Sequence, residues 1–201
     1  MNTEQSTQLL LRFVAIFFLV FFVSAVVLFI VDFVPEKPSE TKRDTPPSAT
    51  ASENPEEPLR IVIDAINIDT DVMNPVSTSV AALDEALLNG AVRYPGSSKL
   101  GEDGTVYLFG HQSYLPVVRN KNFKAFNGLQ KLHEGDTITV YSGTTAYTYT
   151  VRAVSLVDAS DALIPLASDG KTLFLSTCNS FGDPGERYVV KADYASRTSV
   201  N

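Results

Sequence analysis

The pattern of apolar and polar positions divides the chain into three regimes. From Phe13 to Val31, nineteen residues run without a charge, a proline or a glycine. At about 1.5 Å of rise per residue a helix of that length covers roughly 28 Å, close to a bilayer core, so the run predicts a transmembrane helix. A cleaved secretory signal is the competing reading, with Val23-Ser24-Ala25 as its cleavage triplet, but six more apolar residues follow the triplet. A signal's apolar region spans only about 7–15 residues. From Asp32 to Pro58 the alternation disappears; this segment holds six of the eleven prolines, many Ser, Thr and Glu, and almost nothing to bury. It predicts a disordered, solvated linker, reaching about 30 Å on average as a flexible coil.

After Leu59 the pattern becomes one of short strands. Arg60 to Ile68 and the stretch on to Met73 read as strands, as do Thr105 to Phe109, Asp136 to Tyr141, Thr145 to Val157, Lys171 to Thr177 and Arg187 to Tyr194. The clearest period is in the second half: Tyr147, Tyr149 and Val151 alternate with Thr148, Thr150 and Arg152, the signature of a half-buried strand. Val80 to Leu88, with Ser79 before it and Gly90 after it, predicts a short capped helix, and Phe123 to Leu132 a second one. Many short strands, few helices and no βαβ rhythm predict a mainly β domain, a barrel or a sandwich. The expected layout is 1–12 as a short cytoplasmic N-terminus, 13–31 as the membrane helix, 32–58 as the linker, 59–194 as the domain and 195–201 as a C-terminal tail.

Charge changes the picture little. The formal net charge of -7 comes from Lys+Arg 16 against Asp+Glu 23, and the linker, with seven acids and three bases, supplies more than half of it. No basic patch for nucleic acid stands out. Arg12 and the free amine on one flank of the apolar run, with Asp32, Glu36 and Lys37 on the other, orient the N-terminus to the cytoplasm and the domain outside.

The chain has one cysteine, Cys178, and two histidines, His111 and His133. One cysteine excludes an intramolecular disulfide and a cysteine-based zinc cluster. On its own it reads as a small buried hydrophobe. Nucleophilic use would need a proton partner and a group to hold developing negative charge. His111 directly follows the apolar run VYLFG, where a strand delivers a side chain to a rim; His133 lies in a polar turn and reads as solvated. Arg187 opens the strand after the loop NSFGDPGE, whose Gly182, Pro184 and Gly185 suit a turn. Antiparallel pairing across that loop would bring Cys178 and Arg187 to the same end of a sheet.

Leu175-Ser176-Thr177-Cys178, Gly110-His111 after a strand, Arg187 in RYVV, and the leucine-containing turn Leu129 to Asp136 together resemble a sortase over roughly Leu59 to Tyr194. Sortases are the membrane-anchored cysteine transpeptidases of bacterial surfaces. Leu175 to Cys178 matches the end of the family's TLxTC motif, whose first Thr is Phe174 here; Gln112-Ser113-Tyr114 follows the histidine where many members have Arg. The linker lacks the Asp-Pro-aromatic lid of many pilin-polymerising members.

The resemblance implies a closed β-barrel with a few short helices, and Cys178, His111 and Arg187 as the catalytic residues. Cys178 would cleave an LPXTG-like sorting signal through a thioacyl intermediate, and an amine acceptor, a cell-wall peptide or a pilin lysine, would release the product. It also implies a single-pass protein of the bacterial cell membrane with its catalytic domain extracytoplasmic. The alternatives are a cysteine peptidase using water as acceptor and a non-catalytic, membrane-tethered binding module with a buried cysteine. Some members of the family are activated by calcium through loop carboxylates, and Asp158, Asp161 and Asp169 precede the cysteine strand. Surface solubility accounts for these acids equally well, so no metal and no organic cofactor is assigned.

Overall fold

The computed structural model describes residues 12–23, 54–161, 163–178 and 185–200. The chain divides into two units, Met1–Ala49 and Thr50–Asn201. In the first, residues 12–23 form helix α1. Among the described residues no helix is long and apolar enough to cross a membrane. Residues 24–31 of the expected span and 32–53 of the expected linker lie outside them.

The second unit is built on eight strands: β1 (Arg60–Ile63), β2 (Ile68–Met73), β3 (Ala91–Arg93), β4 (Gly104–Phe109), β5 (Thr137–Tyr141), β6 (Thr145–Asp158), β7 (Lys171–Cys178) and β8 (Glu186–Ser199). They close into a barrel in the order β1-β2-β3-β4-β7-β8-β6-β5, with β5 returning to β1. Closure leaves no unpaired edge in the ring. Two neighbours are parallel, β2 with β3 and β4 with β7. The first parallel pair is joined through helix α2 (Val80–Leu87), so one βαβ crossover is present where the pattern suggested none.

The alternation in β6 sorts as its period predicts, with Tyr147, Tyr149 and Val151 buried in the core. β8, expected to end at Tyr194, runs on to Ser199 because its last residues pair with the start of β6, Ser199 opposite Thr145. The helix expected over Phe123 to Leu132 is instead two 3-10 turns, Lys121–Lys124 and Leu129–Lys131. Gly128 between them stands at φ 94, a left-handed position that no continuous helix accommodates. Phe126, Leu129 and Leu132 are nonetheless all buried, at the spacing of three that suits 3.0 residues per turn.

Ser79 caps α2 as expected, its Oγ accepting from Ala82 N at 3.4 Å. Gly90 does not end the helix by a left-handed turn; the Asn89 side chain does so by donating to Glu85 O at 3.1 Å. Gly90 is required for a different reason. A Cβ there would lie 2.3 Å from Asp71 O, the backbone of β2 against which the crossover packs.

The segment before β1 is strapped to the barrel. Glu56 exchanges both backbone hydrogen bonds with Leu100, each 2.9 Å. Its carboxylate accepts from Ser142 Oγ, from Thr145 Oγ1 at 3.1 Å and from the buried Tyr147 hydroxyl at 3.2 Å. The Ser142 hydrogen bond, with the bonds from Thr145 and Tyr147, holds this carboxyl below the usual range against the opposing effect of its own burial.

Two outcomes follow from this packing. Gly90→Ala forces β2 and the crossover apart and destabilises the barrel by about 1–3 kcal/mol, read as a lower urea midpoint at unchanged slope. Glu56→Ala lowers stability at pH 7 by about 1 kcal/mol. Because the folded-state pKa of Glu56 is depressed, its contribution is present above the unfolded carboxylate pKa and is lost as pH falls through the folded one. The gap between wild type and Glu56→Ala in urea titrations therefore closes on acidification.

Candidate active site

Three neighbouring strands, β4, β7 and β8, set the site. The parallel β4:β7 register pairs Gly104 with Lys171 and continues to Phe109 with Ser176. Beyond the strand end the pairing is kept by two hydrogen bonds: Gly110 N donates to Ser176 O at 3.1 Å, and the buried Thr177 Oγ1 donates to Gly110 O at 2.7 Å. Extending the register by two residues brings His111 level with Cys178. On the other side of β7, antiparallel pairing sets Cys178 opposite Arg187. Residues 179–184 of the connecting loop lie outside the described residues.

Gly110 is the pivot. A Cβ on it would lie 3.0 Å from the Phe126 ring, and Phe126 N donates to His111 O at 2.9 Å. One buried residue thus covers the glycine and holds the backbone of the histidine that follows.

His111 is half-buried, with the Phe123 ring centroid 5.2 Å from its own. Burial lowers its pKa from the ordinary imidazole value, and the Asp84 carboxylate opposes that shift. His111, Arg187 and Asp84 line one cleft of about 290 Å³, whose floor includes Tyr107, Phe109 and Ser176. The Tyr107 and Ser176 hydroxyls are hydrogen-bonded at 2.7 Å, and Tyr107 lies in an aromatic row with Tyr94 and Phe109, centroids 5.9 and 5.8 Å apart. Arg187 is half-buried, and its Nη1 donates to Glu186 O at 2.9 Å.

The structure therefore brings His111, Arg187 and the Cys178 backbone to one end of three adjacent strands, while His133 is exposed on its turn. Residues of these three types can supply a nucleophile, a proton carrier and a permanent cation suited to an oxyanion. Of the loop acids, Asp158 is engaged by its own turn, accepting from Ser160 N at 2.9 Å and Ser160 Oγ at 2.7 Å. Among the described residues no group of three or more His, Cys, Asp or Glu gathers as a metal ligand set. Asp84, Tyr107 and Phe123 were not singled out in the sequence. Tyr107 carried a signal, standing two places before Phe109 on a strand that leads to the histidine; Asp84 and Phe123 carried none.

Comparison with known proteins agrees with this architecture. The sequence model of the Sortase domain matches residues 61–195. No curated protein matches the chain in sequence. Among solved structures, sortase A of Listeria monocytogenes is similar at 20% identity and TM-score 0.57, covering 73% of this chain and 92% of its own. Sortase C of Streptococcus pneumoniae is similar at 20% identity and TM-score 0.57, covering 82% of each chain. A Clostridium perfringens sortase D5 transpeptidase is similar at 23% identity and TM-score 0.54, covering 70% of this chain and 79% of its own. These likenesses establish the fold, and the match across the barrel establishes the family. The chain belongs to the sortase family of cysteine transpeptidases.

Proposed function

We propose that this protein cleaves an LPXTG-like sorting signal through a thioacyl enzyme and transfers the released protein to an amine, either a cell-wall peptide or a pilin lysine. The Cys178 thiolate attacks the Thr carbonyl of the signal; an S–C bond forms and the C–N bond to Gly breaks. His111 gives its proton to the departing Gly amine and later accepts one from the incoming amine. Arg187 hydrogen-bonds the oxygen on which negative charge develops and keeps its own charge throughout. The observation that supports this reading is the register, His111 level with Cys178 and Arg187 opposite it. The apolar run and linker of the sequence support a single-pass anchor in the bacterial cell membrane, with the domain outside it.

One magnitude constrains the chemistry. With ordinary pKa values of about 8.5 for Cys and 6.5 for His, the thiolate–imidazolium form is roughly 1% of molecules at pH 7. The lowered pKa of His111 makes that form rarer still unless the thiol moves in the same direction. A minor but strongly reactive species then carries the turnover.

Mass spectrometry tests the reading. Wild type incubated with a sorting-signal peptide gains the acyl mass, and Cys178→Ala gains none. Added amines convert the product to the amide. An adduct on Cys178→Ala would remove that residue from the mechanism, and a product carrying only water in the presence of amine would make the protein a peptidase. Arg187→Ala lowers kcat/KM by roughly 10²–10³-fold, and Arg187→Lys, lacking the planar fork, restores only part of it.

A further inference from the structure

Asp84 stands on α2, in a part of the chain remote from His111, yet both line the same cleft. The end of α2 is clasped to the segment that carries Phe123. Asn120 Nδ2 and Asn122 Nδ2 both donate to Leu88 O, at 2.7 and 2.8 Å, just past the end of α2. Asn120 Oδ1 also accepts from Asn122 N at 3.0 Å, which opens the 3-10 turn carrying Phe123. The same two amides therefore fix both α2, which bears Asp84, and the aromatic ring that lies against the imidazole. Among the described residues Asp84 forms no ion pair and no side-chain hydrogen bond of its own.

We propose that Asp84 is the positioning residue for His111, its carboxylate orienting the half-buried imidazole from across the cleft that both line. As a role in catalysis this rests on the transpeptidase reading above. Burial alone disfavours an imidazolium, and a general acid that must protonate a leaving amine has to be charged beforehand. The charge of the Asp84 carboxylate opposes that effect of burial.

The other charged or titratable groups on elements around His111 act differently. Arg187 on β8 also lines the cleft, its Nη1 donating to Glu186 O, and Cys178 lies on β7. Lys124, on the Phe123 turn, donates to Pro116 O at 3.0 Å, and Lys121 acts on Asp69. Glu85 adjoins Asp84 on α2 but does not line the cleft. Because Asp84 is itself exposed, its influence is open to screening by salt.

The chain's two histidines make a direct test. In the full chain in detergent micelles, labelled with carbon-13 histidine and carrying Cys178→Ala to remove the thiol's titration, His111 and His133 are followed by NMR against pH. Asp84→Asn is expected to move the His111 midpoint to lower pH and leave that of His133 in place, and Asp84→Glu to restore it. The gap should narrow between about 0.01 M and about 1 M salt, as the Debye length falls from about 30 Å to about 3 Å. With the thiol intact, Asp84→Asn should lower kcat/KM roughly 3- to 10-fold, well short of the roughly 10²–10⁴-fold expected for loss of a general acid. Identical His111 midpoints at low salt, or a gap indifferent to salt, would overturn the proposal. A midpoint that follows Asp84, where the chain with its thiol intact forms no acyl adduct with a sorting-signal peptide, would count against the transpeptidase reading alone.

Discussion

The parallel pairing of β4 with β7 is the constraint on which the rest of the site depends. Parallel strands are joined by no hairpin, so their register has to be set by side chains and packing rather than by a turn. Here it is held past the end of β4 by the Thr177 hydroxyl on Gly110 O and by Gly110 N on Ser176 O, and Phe126 seals the glycine from above. A slip of one residue would exchange the two faces of the strand and carry His111 away from Cys178. Thr177 matters to the site although its own hydroxyl is spent on backbone.

The two ends of the barrel do different work. At one end β4 and β7 finish and β8 begins, so His111, Arg187 and the Cys178 backbone share a rim, set there by strand register. At the far end of β6, Glu56 fastens the incoming chain to Ser142, Thr145 and Tyr147. β6 and β8, the longest strands, run between the two ends, pairing Thr145 with Ser199 at one and Val157 with Arg187 at the other. Rigid strands place reacting groups more accurately than loops do.

Electrostatics at the rim is a balance of opposed effects. Burial lowers the affinity of the imidazole, which lies beside the Phe123 ring, for a proton. A carboxylate on α2 is the counterweight. Its reach depends on the amide clasp at Leu88 O, so a helix with only Leu87 fully buried still has a defined place against the barrel.

Much of this was legible along the chain. Alternation in β6 named the inward tyrosines, and the motif around Cys178, the strand before His111 and the position of Arg187 named the candidate site, because each is a local pattern of side chains one or two positions apart. The paired 3-10 turns were misread as a helix since burial at every third residue suits either, and only the left-handed Gly128 decides. β3 went unseen: at three residues, all buried, it has no alternation to show. The local order of residues was enough to single out His111, Cys178 and Arg187 as candidates and to determine which side chains of β6 face inward. Which acid shares the cleft with His111, and the placing of the Cys178 backbone level with His111 and opposite Arg187, were decided by tertiary structure alone: both depend on strand register and on where α2 packs, and such long-range contacts leave no periodic trace in the chain.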